Sequence, residues 1–112
     1  MPNAATYGAC KAFETTWTES VRIENLDRGV HLTALCPGFT DTPMVAGDKA
    51  LAKLPKRLLL TPERVAREGL AGVAANKAVV VPGVAWKAAS ALTGSLPRGA
   101  TRTLMTGARR LR

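Results

Sequence analysis

Histidine and cysteine are scarce in this chain of 112 residues: it has one histidine, His31, and two cysteines, Cys10 and Cys36. A structural zinc site takes about four Cys or His ligands at short spacings, so no metal site is expected. The same count excludes a disulfide framework. A single Cys10–Cys36 bridge stays formally open, but two buried, reduced thiols are the expectation, which points to a cytoplasmic location. No apolar run approaches the ~18 residues of a membrane-spanning helix. Residues 1–6 carry neither the charged flank nor the apolar stretch of a secretory signal. Acidic residues are also few, and they are unevenly spread. Residues 45–112 hold three acids against thirteen Lys or Arg, whereas residues 1–44 hold five against three, which accounts for the formal charge of +8. From residue 86 onward there are six basic side chains and no acid. A uniformly basic protein is thereby excluded. With 46% apolar and 21% charged residues, so is a polar disordered chain.

What is there reads as alternating helices and short strands. Residues 4–28 form a helix whose Phe13, Trp17 and Val21 recur at i, i+4 and i+8, and Gly29 stands where a left-handed helix terminus is expected. Residues 30–36 follow as a buried strand ended by Pro37-Gly38, with His31 in it as a satisfied core residue rather than a ligand. Residues 39–55 read as loop, weakly helical over 49–54. Thr61-Pro62-Glu63 then opens a helix, with Thr61 as N-cap, Pro62 in the first turn and Val65, Ala66, Gly69, Leu70 and Val73 as its apolar face. Residues 78–81 make a second strand stopped by Pro82-Gly83, residues 84–96 a further helix, and residues 101–112 a basic segment. A helix, a glycine and a buried strand make half of a βαβ unit. Two strands are too few for a stable parallel sheet, so its edges are expected to need a partner.

Tyr7 and Lys11 stand at i and i+4 near the start of the first helix, so both project from one face, one turn apart. A phenol ordinarily titrates near ~10 and exchanges protons poorly at neutral pH. A lysine ammonium beside it favours the phenolate and draws the phenol toward working range. Such a tyrosine can hand a proton to a carbonyl oxygen as hydride reaches the carbon. The alternative reading is a surface aromatic next to a solvated charge.

The context carries more. Tyr7-Gly8-Ala9-Cys10-Lys11-Ala12-Phe13 leads through the helix and Gly29-Val30 into a strand, and then to Cys36-Pro37-Gly38-Phe39-Thr40-Asp41-Thr42-Pro43-Met44. This order resembles the C-terminal half of the short-chain dehydrogenase/reductase family, closely over residues 6–44 and more loosely to residue 83. The family's last strand would match Val79-Val80-Val81. The resemblance implies an α/β fold, the C-terminal part of a Rossmann-like doubly wound parallel sheet, incomplete at about two strands with flanking helices. It implies NAD(P)-dependent hydride transfer to or from a small carbonyl or secondary alcohol, with the choice of NAD or NADP left open. By the same resemblance Tyr7 is the catalytic acid/base, and Lys11 both tunes it and binds the nicotinamide ribose. Pro37 and Gly38 bring the backbone beside the nicotinamide, and Thr42, with Thr40 as the weaker candidate, contacts the cofactor. Phe39 and Met44 line the substrate pocket or simply pack. The family's first helix here often packs across a subunit interface, so a homo-oligomer is expected of the complete form.

The family's glycine-rich phosphate loop and catalytic serine precede the tyrosine, and here only six residues do. No Gly-x-x-x-Gly-x-Gly occurs from Phe13 on to take the loop's place. Residues 1–83 are thus expected to be the C-terminal half of such a domain, inactive alone, and residues 84–112 a basic helical tail. A non-catalytic fragment is the alternative. A further one is a basic module that touches anionic membrane through residues 97–112, where arginines alternate with Leu104, Met105 and Leu111. Nucleic-acid contact is the weaker reading, and packing of the tail on the protein's own surface the plainest.

Overall fold

In the computed structural model, which describes residues 5–49, 51–95 and 99–100, two short parallel strands set the frame. β1 (Ala34–Leu35) pairs with β2 (Val79–Val80) in the register Ala34↔Val79 and Leu35↔Val80. Ala34 N–H donates to the Ala78 carbonyl at 2.9 Å and Cys36 N–H to the Val80 carbonyl at 2.8 Å. Both strands are shorter than the runs 30–36 and 78–81 imply. Carried backward, the register would oppose residues 30–32 to residues 75–77, and those instead turn out of a helix, with Ala75 as its C-cap and Asn76 at φ 54°. Side chains substitute for the missing ladder. Thr33 Oγ1 donates to the Lys77 carbonyl at 2.6 Å, and His31 Nδ1 lies 3.0 Å from the Val73 carbonyl. His31 is therefore satisfied, but it is exposed and outside the strand, not in a core.

Helix α1 (Ala5–Glu24) runs antiparallel to β1, because Thr15 meets Cys36 while Arg22, two turns later, donates to the Leu32 carbonyl at 3.0 Å. It ends four residues before Arg28, since Asn25 turns its Nδ2 back to the Val21 carbonyl at 2.8 Å and the chain tightens into a 3-10 turn over Leu26–Arg28. Gly29, at φ 66°, makes the expected left-handed exit. Cys10 is exposed on α1 and Cys36 half-buried, both as free thiols, so the expectation of two buried thiols fails for Cys10.

The loop after β1 contains a short helix that the composition of residues 39–55 does not announce, α2 (Pro43–Ala46), and the weakly helical stretch becomes a 3-10 turn over Leu51–Lys53. Helix α3 (Pro62–Ala74) starts as anticipated, with the Thr61 hydroxyl accepting from Arg64 N–H at 3.3 Å. Its buried face is rotated from the expected one. Leu70 is 70% exposed, and it is Gly69 and Gly72 that approach the sheet. A Cβ on Gly69 would lie 2.9 Å from the Leu35 side chain, and one on Gly72 would overlap Val80. The helix thus sits closer to the sheet than any side chain would permit. Helix α4 (Val84–Ser95) follows β2 after Pro82, which is fully buried. Ala34, Val45 and Leu60 are the buried hydrophobic side chains among the described residues.

The close approach of α3 is testable. Gly72→Ala should lower the urea midpoint, with a loss of about 1–3 kcal/mol from overpacking against Val80. Gly94→Ala, where nothing lies within 4 Å, should leave the midpoint unchanged or raise it.

Candidate active site

The antiparallel run of α1 along β1 decides where its first turns lie. Thr15 Oγ1 lies within hydrogen-bond distance of Cys36 Sγ, at 3.8 Å, and donates to the Lys11 carbonyl at 3.0 Å. Tyr7, Lys11 and Thr15 are spaced by four, so they share a helix face. Lys11 and Tyr7 stand roughly 6 and 12 Å further along the axis than Thr15 at 1.5 Å per residue, beyond the carboxyl end of β1. That is the end of an open α/β sheet at which ligands bind.

At this end the Lys11 ammonium lies 5.8 Å from the centre of the Tyr7 ring and 2.7 Å from a Glu14 carboxylate oxygen. Hydrogen bonding and charge from Glu14 hold the lysine above its ordinary range, so it stays cationic at neutral pH. Both side chains are exposed. A cation fixed on the helix face beside a phenol is the arrangement that general acid–base work by the phenol needs. Glu14, one helical turn beyond Lys11, is a participant that the Tyr-x-x-x-Lys spacing did not flag.

The Pro37–Gly38 turn closes β1, and extending the register by three residues sets it beside Pro82–Gly83 at the end of β2. One side chain covers both turns. A Cβ on Gly38 would fall inside the Trp86 indole, and one on Gly83, which is at φ 82°, would lie 3.6 Å from Trp86 Cδ1. The ring is held from two further sides. Trp86 Nε1 donates to the Leu58 carbonyl at 2.9 Å, and Phe39 meets the indole edge-on at 5.2 Å between centroids. Gly38 is required here because the indole occupies the place of a side chain. Phe39 accordingly packs on Trp86. Between the turn and α4 a cleft of about 320 Å³ is lined by Cys36, Pro37, Gly38, Trp86, Ser90 and Thr93. The tail composition gave Trp86 no distinguishing signal, because its role depends on strand register.

After the turn the chain runs beside the segment before α3: Leu60 N–H donates to the Phe39 carbonyl at 2.9 Å and Asp41 N–H to the Leu60 carbonyl at 2.8 Å. Thr40 turns its hydroxyl back to the Gly38 carbonyl at 3.3 Å. Thr42 precedes α2, where its carbonyl accepts from Val45 and Ala46 and its hydroxyl makes no capping bond. Met44 is 74% exposed on α2 and does not line the cleft beside the turn. Behind the sheet, Glu68 accepts from Arg64 Nε at 2.7 Å and from Gly83 N–H at 3.3 Å, which ties α3 to the start of α4. The Arg64 guanidinium holds the Glu68 carboxyl below the ordinary range. Among the described residues no three His, Cys, Asp or Glu side chains are grouped to hold a metal ion.

No family model matches the chain, and no solved structure matches it. It is similar to a curated protein, the cis-4-hydroxycyclohexanecarboxylate dehydrogenase of Sinomonas cyclohexanicum, with 36% identity over 87 residues that cover 72% of this chain. The match covers 34% of that protein, so the chain spans about a third of its relative's length. The chain is thus similar, over most of its own length, to an oxidoreductase.

Two outcomes follow from the site geometry. Glu14→Gln should lower the titration midpoint of the Lys11 side chain, followed by NMR, because the contact that raises it is lost. With Glu14 present, the contact favours the folded chain below the ordinary lysine value, and the preference fades as pH rises through the raised one. Gly38→Ala should lower stability by about 1–3 kcal/mol and shift Trp86 fluorescence in a Trp17→Phe background, since a methyl group and the indole compete for one place.

Proposed function

We propose that this chain is the C-terminal part of a short-chain dehydrogenase/reductase that moves hydride between a nicotinamide cofactor and a carbonyl or secondary alcohol. The observation that carries the reading is the position of Tyr7 and Lys11 on α1, beyond the carboxyl end of β1, where the Pro37–Gly38 turn also lies. Similarity to a dehydrogenase supports it.

In this reading the Tyr7 hydroxyl gives a proton to the substrate oxygen during reduction and takes it back during oxidation. The Lys11 ammonium stabilises the phenolate that remains and donates to the nicotinamide ribose. Two of the chain's groups fit the nicotinamide half of the cofactor, a cation on α1 and a Thr42 hydroxyl free of capping, while the place beside Gly38 is filled by the Trp86 indole. The bound nicotinamide would supply or accept the hydride. For the adenosine half, residues 1–112 offer no glycine-rich loop, so that half is assigned to polypeptide outside this chain. The exposed Phe13 and Trp17 on α1, 68% and 55% accessible, are assigned to contact with that polypeptide or with a second subunit. The alicyclic hydroxy acid in the relative's name is the first substrate to assay.

The test reads the DNA upstream of Met1, expresses the extended frame and follows NAD(P)H formation from secondary alcohols. A glycine-rich loop and a serine upstream of Tyr7, with turnover that falls by about 10²–10⁴-fold in Tyr7→Phe while cofactor binding persists, are the expected results. Turnover unchanged in Tyr7→Phe would remove the acid/base assignment.

A further inference from the structure

β2 has one edge unpaired. In the parallel pairing the Ala78 and Val80 carbonyls face β1, where Ala34 and Cys36 donate to them. Backbone groups alternate along a strand, so Val79 and Val81 turn their N–H and C=O groups to the opposite side. Among the described residues the sheet ends at β2, and no hydrogen bond takes up these groups. The edge opens into a cleft of about 340 Å³ between α3 and α4. Val79, Val80 and Val81 all line it, although successive side chains point to opposite faces, so the cleft meets the strand along its backbone.

The charged groups of this cleft are Arg64, Lys77, Lys87 and Glu68. Glu68 is already engaged, by Arg64 Nε at 2.7 Å and by Gly83 N–H at 3.3 Å. Lys77 and Lys87 are exposed and form no ion pair among the described residues, although Lys87 lies near enough to help lower the Glu68 carboxyl. Three cations against one carboxylate leave the cleft positive. They stand at both ends of the edge. Lys77 precedes β2, whereas Lys87 N–H bonds the Gly83 carbonyl beyond its end, where the Arg64–Glu68 pair also sits.

Lysines beside an open edge keep like edges apart. A second copy brought edge to edge about a two-fold axis would set these cations against the same cations. A free phosphate or carboxylate would use the cations and leave the Val79 and Val81 backbone unpaired. An extended segment that carries acids satisfies both: its main chain meets the strand edge, and its carboxylates meet Lys77, Lys87 and the Arg64 Nη atoms. The charges that exclude a second copy thus select this partner.

We propose that the outer edge of β2, with Lys77, Lys87 and Arg64 around it, is a docking site for an acidic, extended segment of a separate protein, which adds to the sheet as a third strand. Its backbone pairs with Val79 and Val81, and its carboxylates lie at the two ends of the edge.

The test titrates the 112-residue chain with a short fluorescein-labelled peptide of alternating valine and glutamate, and with its valine–lysine counterpart, read by fluorescence anisotropy. Binding of the acidic peptide alone is expected, weakening as salt is raised. Lys77→Glu with Lys87→Glu should weaken it by roughly tenfold at unchanged circular dichroism. Lys53→Glu, on the 3-10 turn outside the cleft, should leave it unchanged. The bound peptide should slow amide hydrogen exchange at Val79 and Val81 far more than at Val80, whose N–H faces β1. No binding, equal binding of the lysine peptide, or an equal loss in Lys53→Glu would overturn the proposal. So would binding without slowed exchange at Val79 and Val81, which marks attraction without pairing. Self-association that protects those two amides would give the edge to a second copy. Their protection in the extended frame before peptide is added would give it to upstream polypeptide, and either result also overturns the proposal. Turnover enters none of these readouts, so the dehydrogenase reading stands or falls separately.

Discussion

Two backbone hydrogen bonds, from Ala34 N–H to the Ala78 carbonyl and from Cys36 N–H to the Val80 carbonyl, hold β1 against β2 in one register. Much of the described structure depends on that register. It brings the Pro37–Gly38 and Pro82–Gly83 turns side by side, so one indole can cover both. It also fixes where α1 lies, because Thr15 meets Cys36 at the end of β1 and Arg22 meets Leu32 before its start. A slip of one residue would turn every side chain of a strand to the other face. Cys36 would then leave Thr15, and Trp86 would lose one of its two glycines.

The glycines explain how so small a structure packs closely. Gly69 and Gly72 let α3 lie against Leu35 and Val80, and Gly38 lets α4 lie against the end of β1. Backbone thus takes the place that side chains fill in a larger core, and three buried hydrophobic residues among those described suffice to connect the elements. The large apolar side chains, Phe13 and Trp17 on α1 and Val84 and Leu92 on α4, lie outside that contact.

Electrostatics divide the molecule as the charge count implies. The Tyr7 end of α1 is balanced, with Lys11 held by Glu14, and the second half carries the basic excess. Arg64 and Glu68 are the exception there, and Glu68 also reaches the Gly83 amide. An exposed i,i+4 pair contributes little to stability, so its importance is positional: Glu68 also ties α3 to the residue before α4.

Local features were legible from residues alone. Thr61-Pro62 starts α3, Gly29 ends the first helical segment, and each Pro-Gly ends a strand, because each acts through backbone conformations that its own side chain dictates. The i, i+4 spacing of Tyr7 and Lys11 was legible for the same reason: helix geometry makes them neighbours without help from the rest of the chain. Composition could not show that α3 packs by its glycines, leaving Leu70 outside, since that depends on how near the sheet comes. Nor could it show that His31 and Cys10 lie exposed, or that Trp86 seals both turns from 48 residues beyond Gly38. The amino-acid sequence by itself determined the start of α3, the left-handed exit at Gly29, the Pro-Gly stops and the paired phenol and ammonium, all of which are short-range. Tertiary structure alone decided which faces meet and which stay open, because those follow from strand register and the closeness of backbone to backbone.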